Sequence, residues 1–402
     1  MRNEKNLNRK SKRGSLGRNI ICEYFYAFIN NLNMSSSIWV LYLAYCGMNL
    51  TQIGLLEGIY HITSIIFEIP SGAIADLLGR KKTVIVGRIC LAISSVLMIC
   101  QQSFMGFALS FLIQALGNNF NSGAEEALVY DTMKSLGREA EYMKINGRIN
   151  TLVEVSQAIA TVVGGILAEY SYFLCYSVCV LLAVFSILPA LLMVEPELKR
   201  EKEEKTSVWQ QVRNHFATCF HIMMTEKRFV KLIVFYEIVF CGYCVLFFYS
   251  QQYFYELGLN KIQISIIMLF AGICACIGAL CSEWLYRKLH NKIIILSVLG
   301  ITIGIIGFGP KHLVLAIICI MVASLCNAVL YPVRSNSMNE LIPSEQRATL
   351  ISVDSVMFSV FMLLCFPIAG VLADIAGLAA AFLGIGVVIT MVSLYGYQKI
   401  MR

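Results

Sequence analysis

The stretch SGAIADLLGRKK, Ser71–Lys82, decides how this chain is read. It closes an apolar run with a glycine, an aspartate four residues on, a second glycine and three bases. An acid at the C-terminal end of a helix opposes that helix's own dipole. Asp76 is therefore expected to have a partner outside its helix. The first part of the pattern returns as Gly165-Ile-Leu-Ala-Glu169, Gly278-Ala-Leu-Cys-Ser282-Glu283 and Gly370-Val-Leu-Ala-Asp374. The glycines are 93, 113 and 92 residues apart, which makes a fourfold internal repeat. Bases follow only the first and third copies, as Arg80-Lys81-Lys82 and Arg287-Lys288.

The composition places that repeat in a membrane. The chain has 402 residues, 58% hydrophobic and 14% charged, with a mean hydropathy of +0.70. A soluble protein would carry about 25% charge. Spans of about 20 apolar residues are expected at 20–45, 51–73, 83–103, 105–129, 148–170, 172–193, 229–253, 263–285, 292–309, 312–334, 348–375 and 378–399. Loops after even-numbered spans are rich in Lys and Arg, whereas those after odd-numbered spans offer only Lys261 and Lys311. The positive-inside rule then puts both termini in the cytoplasm. It also accounts for the net charge of +7 without a nucleic-acid partner. The basic first 18 residues lead into an apolar run interrupted by Asn30, Asn31 and Asn33. They read as a tail and a retained first helix, not a cleaved signal peptide.

Four repeats in twelve spans give three spans each. Three is odd, so alternate copies are inverted. The expected fold is all-α, with twelve transmembrane helices in two six-helix bundles of 3+3 inverted repeats. Expected boundaries are 1–194 for the first bundle with its basic tail, 195–228 for a cytoplasmic linker, and 229–402 for the second bundle. In the linker, Trp209, Val212, Phe216 and Phe220 share a helical face suited to the membrane surface. The 15 cysteines show no ligand spacing, so no metal is expected.

GAIADLLGRKK closely resembles the signature of the major facilitator superfamily between its second and third helices. IPSEQRATLISVDS and FPIAGVLADIAG also look like that superfamily. SGAEEALVYDTMKSLGREAEYMKINGR is similar to a bacterial efflux-like branch. The resemblance implies a cytoplasmic latch of Gly72, Asp76, Gly79, Arg80, Lys81 and Asp131, with Asp76 meeting the start of helix eleven. Gly72 would let a neighbouring helix approach closely, and Gly54 and Gly58 read as packing positions. The resemblance further implies that spans one, four, seven and ten line a central cavity.

Ionisable residues inside a bilayer face a cavity or a partner. Glu126, Glu237, His61 and Glu23 are the candidates for proton coupling, the alternative being structural ion pairs with Arg88 or Arg334. Asp354 and Glu154 read as interhelix pairs. Glu57, His61 and Glu68 share one face of span two, within about 40°. Asn30, Asn118, Asn121, Tyr236, Tyr243, Gln251, Asn327 and Tyr331 are candidate substrate-cavity residues. Amides and phenols among aliphatic walls suit a small amphipathic molecule better than a sugar. Two features depart from drug:proton antiporters: Gln114 stands where many carry an arginine, and span five lacks their Gly-Pro pair.

The expected function is secondary active transport, as proton-coupled efflux by an antiporter through alternating access. Uptake by symport or uniport is the alternative. A receptor or an enzyme is disfavoured, since no P-loop, HExxH or GxSxG motif occurs. No cofactor is expected, and the proton gradient would supply energy. The expected setting is an inner or plasma membrane, with the lipid bilayer and a small-molecule substrate as partners and a monomer as the working unit.

Overall fold

The computed structural model describes residues 2–196, 227–340 and 347–400, with isolated positions between 210 and 225. The helices are α1 (Arg2–Asn30), α2 (Trp39–Tyr45), α3 (Leu50–Leu78), α4 (Arg80–Cys100), α5 (Phe104–Leu136), α6 (Tyr142–Tyr170) and α7 (Tyr172–Leu192). They continue as α8 (Lys227–Glu256), α9 (Lys261–Leu289), α10 (Lys292–Ile306), α11 (Leu313–Glu340), α12 (Arg347–Ala376) and α13 (Leu378–Ile400). No strand occurs among the described residues. The surface helix expected from Trp209 to Phe220 lies outside the described residues except at scattered positions, of which Phe220 is helical.

Among the described residues, eight helices are long and apolar enough to cross a membrane: α3, α4, α6, α7, α8, α9, α11 and α12. Large apolar side chains such as Phe173, Leu280 and Ile375 stand exposed along them. In a bilayer those faces meet acyl chains. The remaining spans are α5, which carries several charges, the shorter apolar α10 and α13, and a first span built from two helices. Together these make the twelve-span, all-α membrane architecture.

The first span is broken where one continuous helix was expected. α1 runs to Asn30, and helix resumes only at Trp39. The cause is the local sequence Asn30-Asn31-Leu32-Asn33-Met34-Ser35-Ser36-Ser37. Short amide and hydroxyl side chains compete for backbone hydrogen bonds. Asn31 Nδ2 donates to the Ala27 carbonyl at 2.8 Å. Ser35 donates to Asn33 Oδ1 from its amide at 3.2 Å and its hydroxyl at 2.8 Å. Irregular backbone at membrane depth persists only where protein or a cavity encloses it. Met34 is buried, its carbonyl occupies the space a Cβ at Gly164 would need, and Cys175 Sγ lies 3.6 Å from it.

The chain packs as two compact units, residues 1–36 with 63–212 and residues 37–62 with 213–402. α3 is shared between them, its first half in the second unit and its second half in the first. In the first unit α4 packs along α5 and α7, and Ser64 and Asn119 exchange hydrogen bonds at 2.9 Å. In the second unit α8 is the most enclosed candidate span. There Tyr253, Phe254, Phe308 and Phe382 form a ring cluster with centroids 4.8–6.1 Å apart. Gly54 meets α12 backbone to backbone, since an added Cβ would stand 2.7 Å from the Phe366 carbonyl oxygen. Gly72 is exposed, and an added Cβ there would meet nothing within 4 Å among the described residues.

Candidate functional site

Among the described residues, each unit gathers two carboxyls and an arginine into a cluster among its spanning helices. In the first unit, Glu23, Tyr26 and Asn30 follow one face of α1 at three- and four-residue intervals. Asn121 and Glu125 follow one face of α5 in the same way. Arg88 of α4 lies among them. Its guanidinium donates to Asn30 Oδ1 and stands 5.2 Å from the centre of the Tyr26 ring. The carboxyl groups of Glu23 and Glu125 meet each other, with Arg88 close to both. Glu23 is 2% exposed and Arg88 3%. Arg88 Nε and both amide atoms of Asn121 are buried with no hydrogen-bond partner among the described residues.

In the second unit the centre is Arg334 of α11. It donates to Glu237 of α8 and to Asp354 of α12. The Tyr236 ring centre is 5.9 Å from the guanidinium. Glu237 is 0% exposed, and its second oxygen receives no donor among the described residues. Both clusters therefore have the same composition: two carboxyls, one guanidinium and a tyrosine ring beside it. Isolated buried charges cost several kcal/mol each, so such groups persist only together.

His61 sits elsewhere in the second unit. Its Nε2 is 3.6 Å from Glu57 Oε1, and it packs edge-on against Tyr60 and Phe358. Its Nδ1 is buried without a partner among the described residues.

The turn carrying the GRKK motif is in the first unit. Arg80 Nε is 3.0 Å from Asp131 Oδ2. Glu195 accepts hydrogen bonds from the Arg80 amide at 2.9 Å and the Lys81 amide at 2.8 Å. A carboxylate over the first amides of a helix satisfies otherwise orphan donors and complements the dipole. Gly79 holds φ at +94°, and an added Cβ would stand 3.3 Å from the Glu195 carboxyl. Both backbone freedom and close approach require glycine there. The Asp76 side chain lies outside the described residues. Glu195→Ala is expected to lower stability by about 1 kcal/mol, as loss of a helix cap does, measured as a small fall in Tm in detergent. An unchanged Tm would show that the cap contributes nothing.

Among the other sequence candidates, Glu126 is exposed, with Tyr142 Oη 3.4 Å away. Tyr243 donates to Ser324 Oγ at 3.1 Å. Asn118 and Asn327 are half-buried and Gln251 is buried. Tyr331 is 62% exposed. Three participants went unselected from sequence: Glu125, Arg88 as a cluster centre, and Glu195. A signal existed for Glu125, since Asn118, Asn121 and Glu125 form one polar stripe along α5. None existed for Glu195, which sits in a charged stretch that reads as linker.

The family model of the Major Facilitator Superfamily matches residues 21–310 and 290–397. A transporter of Buchnera aphidicola from Schizaphis graminum is 31% identical over 168 residues, which spans only 41% of each chain. The MFS-type transporter YxaM of Bacillus subtilis is 23% identical over 90% of this chain and 92% of its own. The crystal structure of the D323A mutant of the nucleoside transporter NupG superposes with a TM-score of 0.76 at 13% identity. That match covers 97% of this chain and 98% of that one, a likeness of fold.

Proposed function

The chain belongs to the major facilitator superfamily, and from that premise we propose that it exports a small amphipathic organic compound in exchange for protons, by alternating access. Membrane transport is the family's activity. The exchange reading is carried by one observation: each unit sets two carboxyls, one fully enclosed and one partly exposed, against a single guanidinium among its spanning helices. With both acids ionised, such a cluster bears a surplus negative charge in a medium that penalises it. One proton restores neutrality. A state that gives the cluster water or a cationic partner favours the ionised form, and a state that seals it favours the protonated form. Proton binding then biases the conformational equilibrium by that difference in affinity.

Export is favoured by the resemblance of residues 122–148 to efflux-like transporters. The cytoplasmic placement of both termini is proposed from the alternation of basic loops, and the linker of 195–228 between two six-span halves from the polar composition there. Arg80, Asp131 and Glu195 are proposed to act as a cytoplasmic latch with Asp76. No cofactor enters this reading.

Everted membrane vesicles with an acidified lumen test it, presented from the medium with compounds that an overexpressing strain resists. Addition of such a compound should release protons from the vesicle lumen. Proton entry into the lumen coupled to substrate would establish symport instead. Substrate flux with no proton movement would overturn the coupling.

A further inference from the structure

The fourth copy of the repeat, Gly370 to Asp374, ends α12 and is unused in the reading above. Asp374 lies at the C-terminal end of its helix, where its own dipole disfavours an acid. In the second unit it covers the N-terminus of α3 instead. Its Oδ1 accepts from the Leu50 amide at 3.0 Å. Its Oδ2 accepts from the Thr51 amide at 2.8 Å and the Thr51 hydroxyl at 2.6 Å. These amides open a helix and have no intrahelical partner. The carboxylate is therefore at the wrong end of one helix and the right end of another.

The packing around this contact is built for close approach. An added Cβ at Gly370 would overlap the Leu50 carbonyl, and one at Gly54 would stand 2.8 Å from Pro367 Cα. An added Cβ at Gly58 would stand 3.1 Å from Leu363 Cδ1. α3 and α12 thus touch at successive turns. The fully buried Tyr249 of α8 reinforces the contact, its hydroxyl 3.0 Å from the Leu50 carbonyl and 3.3 Å from that of Phe366. The first turn of α3 is held locally as well. Asn49 and Gln52 cap each other, amide to side chain, at 3.1 and 2.8 Å. A preformed helix start therefore meets a carboxylate that is fixed at the end of another helix.

We infer that Asp374 is the positioning residue of an outer clasp, which holds the start of the second span to the end of the eleventh and releases when that side opens. The inference rests on the alternating-access part of the proposed function and on neither its substrate nor its protons. Charge asymmetry of the loops assigns residues 46–51 and 375–378 to the outer face. A transporter that alternates must separate helices at one face while they close at the other. Three hydrogen bonds to one carboxylate over a glycine interface suit that task. They form together, need one geometry, and are lost together when the helix ends part.

Hydrogen exchange of the full chain in lipid nanodiscs tests the clasp without any ligand. In Asp374→Asn, peptides covering residues 49–56 and 366–374 should exchange about fivefold faster or more, the loss expected for charge-assisted bonds at a partly exposed site. Peptides covering 80–88 and 128–134 should gain protection as the opposite face closes, and unchanged protection there would mark Asp374 as a static helix cap and overturn the clasp. Thr51→Val removes only the hydroxyl bond and should give a smaller rise at the same peptides. Unchanged exchange at residues 49–56 would overturn the clasp. So would a uniform rise over the whole chain, because that reports instability without a switch. If the clasp responds as expected while vesicles show no proton movement, the coupling fails and the clasp stands.

Discussion

Glu125→Gln is expected to reduce proton-coupled transport about a hundredfold or more, the scale of losing a proton-transferring group, while Glu126→Gln leaves it within about twofold. The two acids are sequence neighbours and differ in one respect. Glu125 meets Glu23 and lies beside Arg88, whereas Glu126 is exposed next to Tyr142. Glutamine keeps the shape and hydrogen-bonding capacity of Glu125, and it cannot release a proton. Glu23→Gln should resemble Glu125→Gln, because the two carboxyls act as one pair. The double variant should be no worse than either single one, as expected for residues that share a function. The measurement is substrate-driven proton flux in vesicles, normalised to protein in the membrane. Equal losses from Glu125→Gln and Glu126→Gln would sink the assignment. Full activity of Glu125→Gln would do the same.

Arg334→Met is expected to destabilise the protein by about 3–5 kcal/mol, the cost of leaving buried charges without their counter-charge. Arg334 donates to both Glu237 and Asp354, and Glu237 is wholly enclosed. Removing the guanidinium leaves two acids facing each other. The Asp354 side chain is 31% exposed, so water relieves part of the repulsion and the lower end of that range applies. A triple change, Arg334→Met with Glu237→Gln and Asp354→Asn, should recover most of the loss, since it removes the charges together. Thermal unfolding in detergent distinguishes these outcomes. If the single variant melts with the native chain, the cluster does not support the fold. If the triple variant melts as low as the single one, the loss comes from packing and not from charge.

The two clusters show how far a sequence carries such an assignment. The intramembrane positions of Glu23, Arg88, Glu237, Arg334 and Asp354 were legible, because a charge inside an apolar run is conspicuous at any level of description. Pairing Glu237 with Arg334 was one of the open options. The choice between Glu125 and Glu126 was not legible from the two positions alone. Successive helical residues point about 100° apart. The rotation of α5 about its axis therefore decides which acid meets Arg88, and packing against α4 sets that rotation.

Asp76 and Asp374 show the same limit in another form. The repeat identified both as acids at the end of a helix, and the dipole argument asked a partner of Asp76. For Asp374 the partner is the first turn of α3, 323 residues away along the chain. No local pattern announces a contact over that separation. The break in the first span lies between these cases. Its polar run was visible, but its consequence depended on whether neighbouring helices would enclose the exposed backbone. Gly164 and Cys175 do so.

The sequence by itself determined the membrane class, the twelve spans, their inverted threefold grouping and the superfamily. Each of these follows from properties that accumulate along the chain: apolar run length, loop charge and motif period. Only the tertiary structure decided that Glu23 and Glu125 share Arg88, that Glu195 caps α4, and that Asp374 covers the start of α3. Those contacts depend on helix rotation and on carboxylates meeting distant amides within 3.0 Å. Composition and period constrain neither, and packing fixes both.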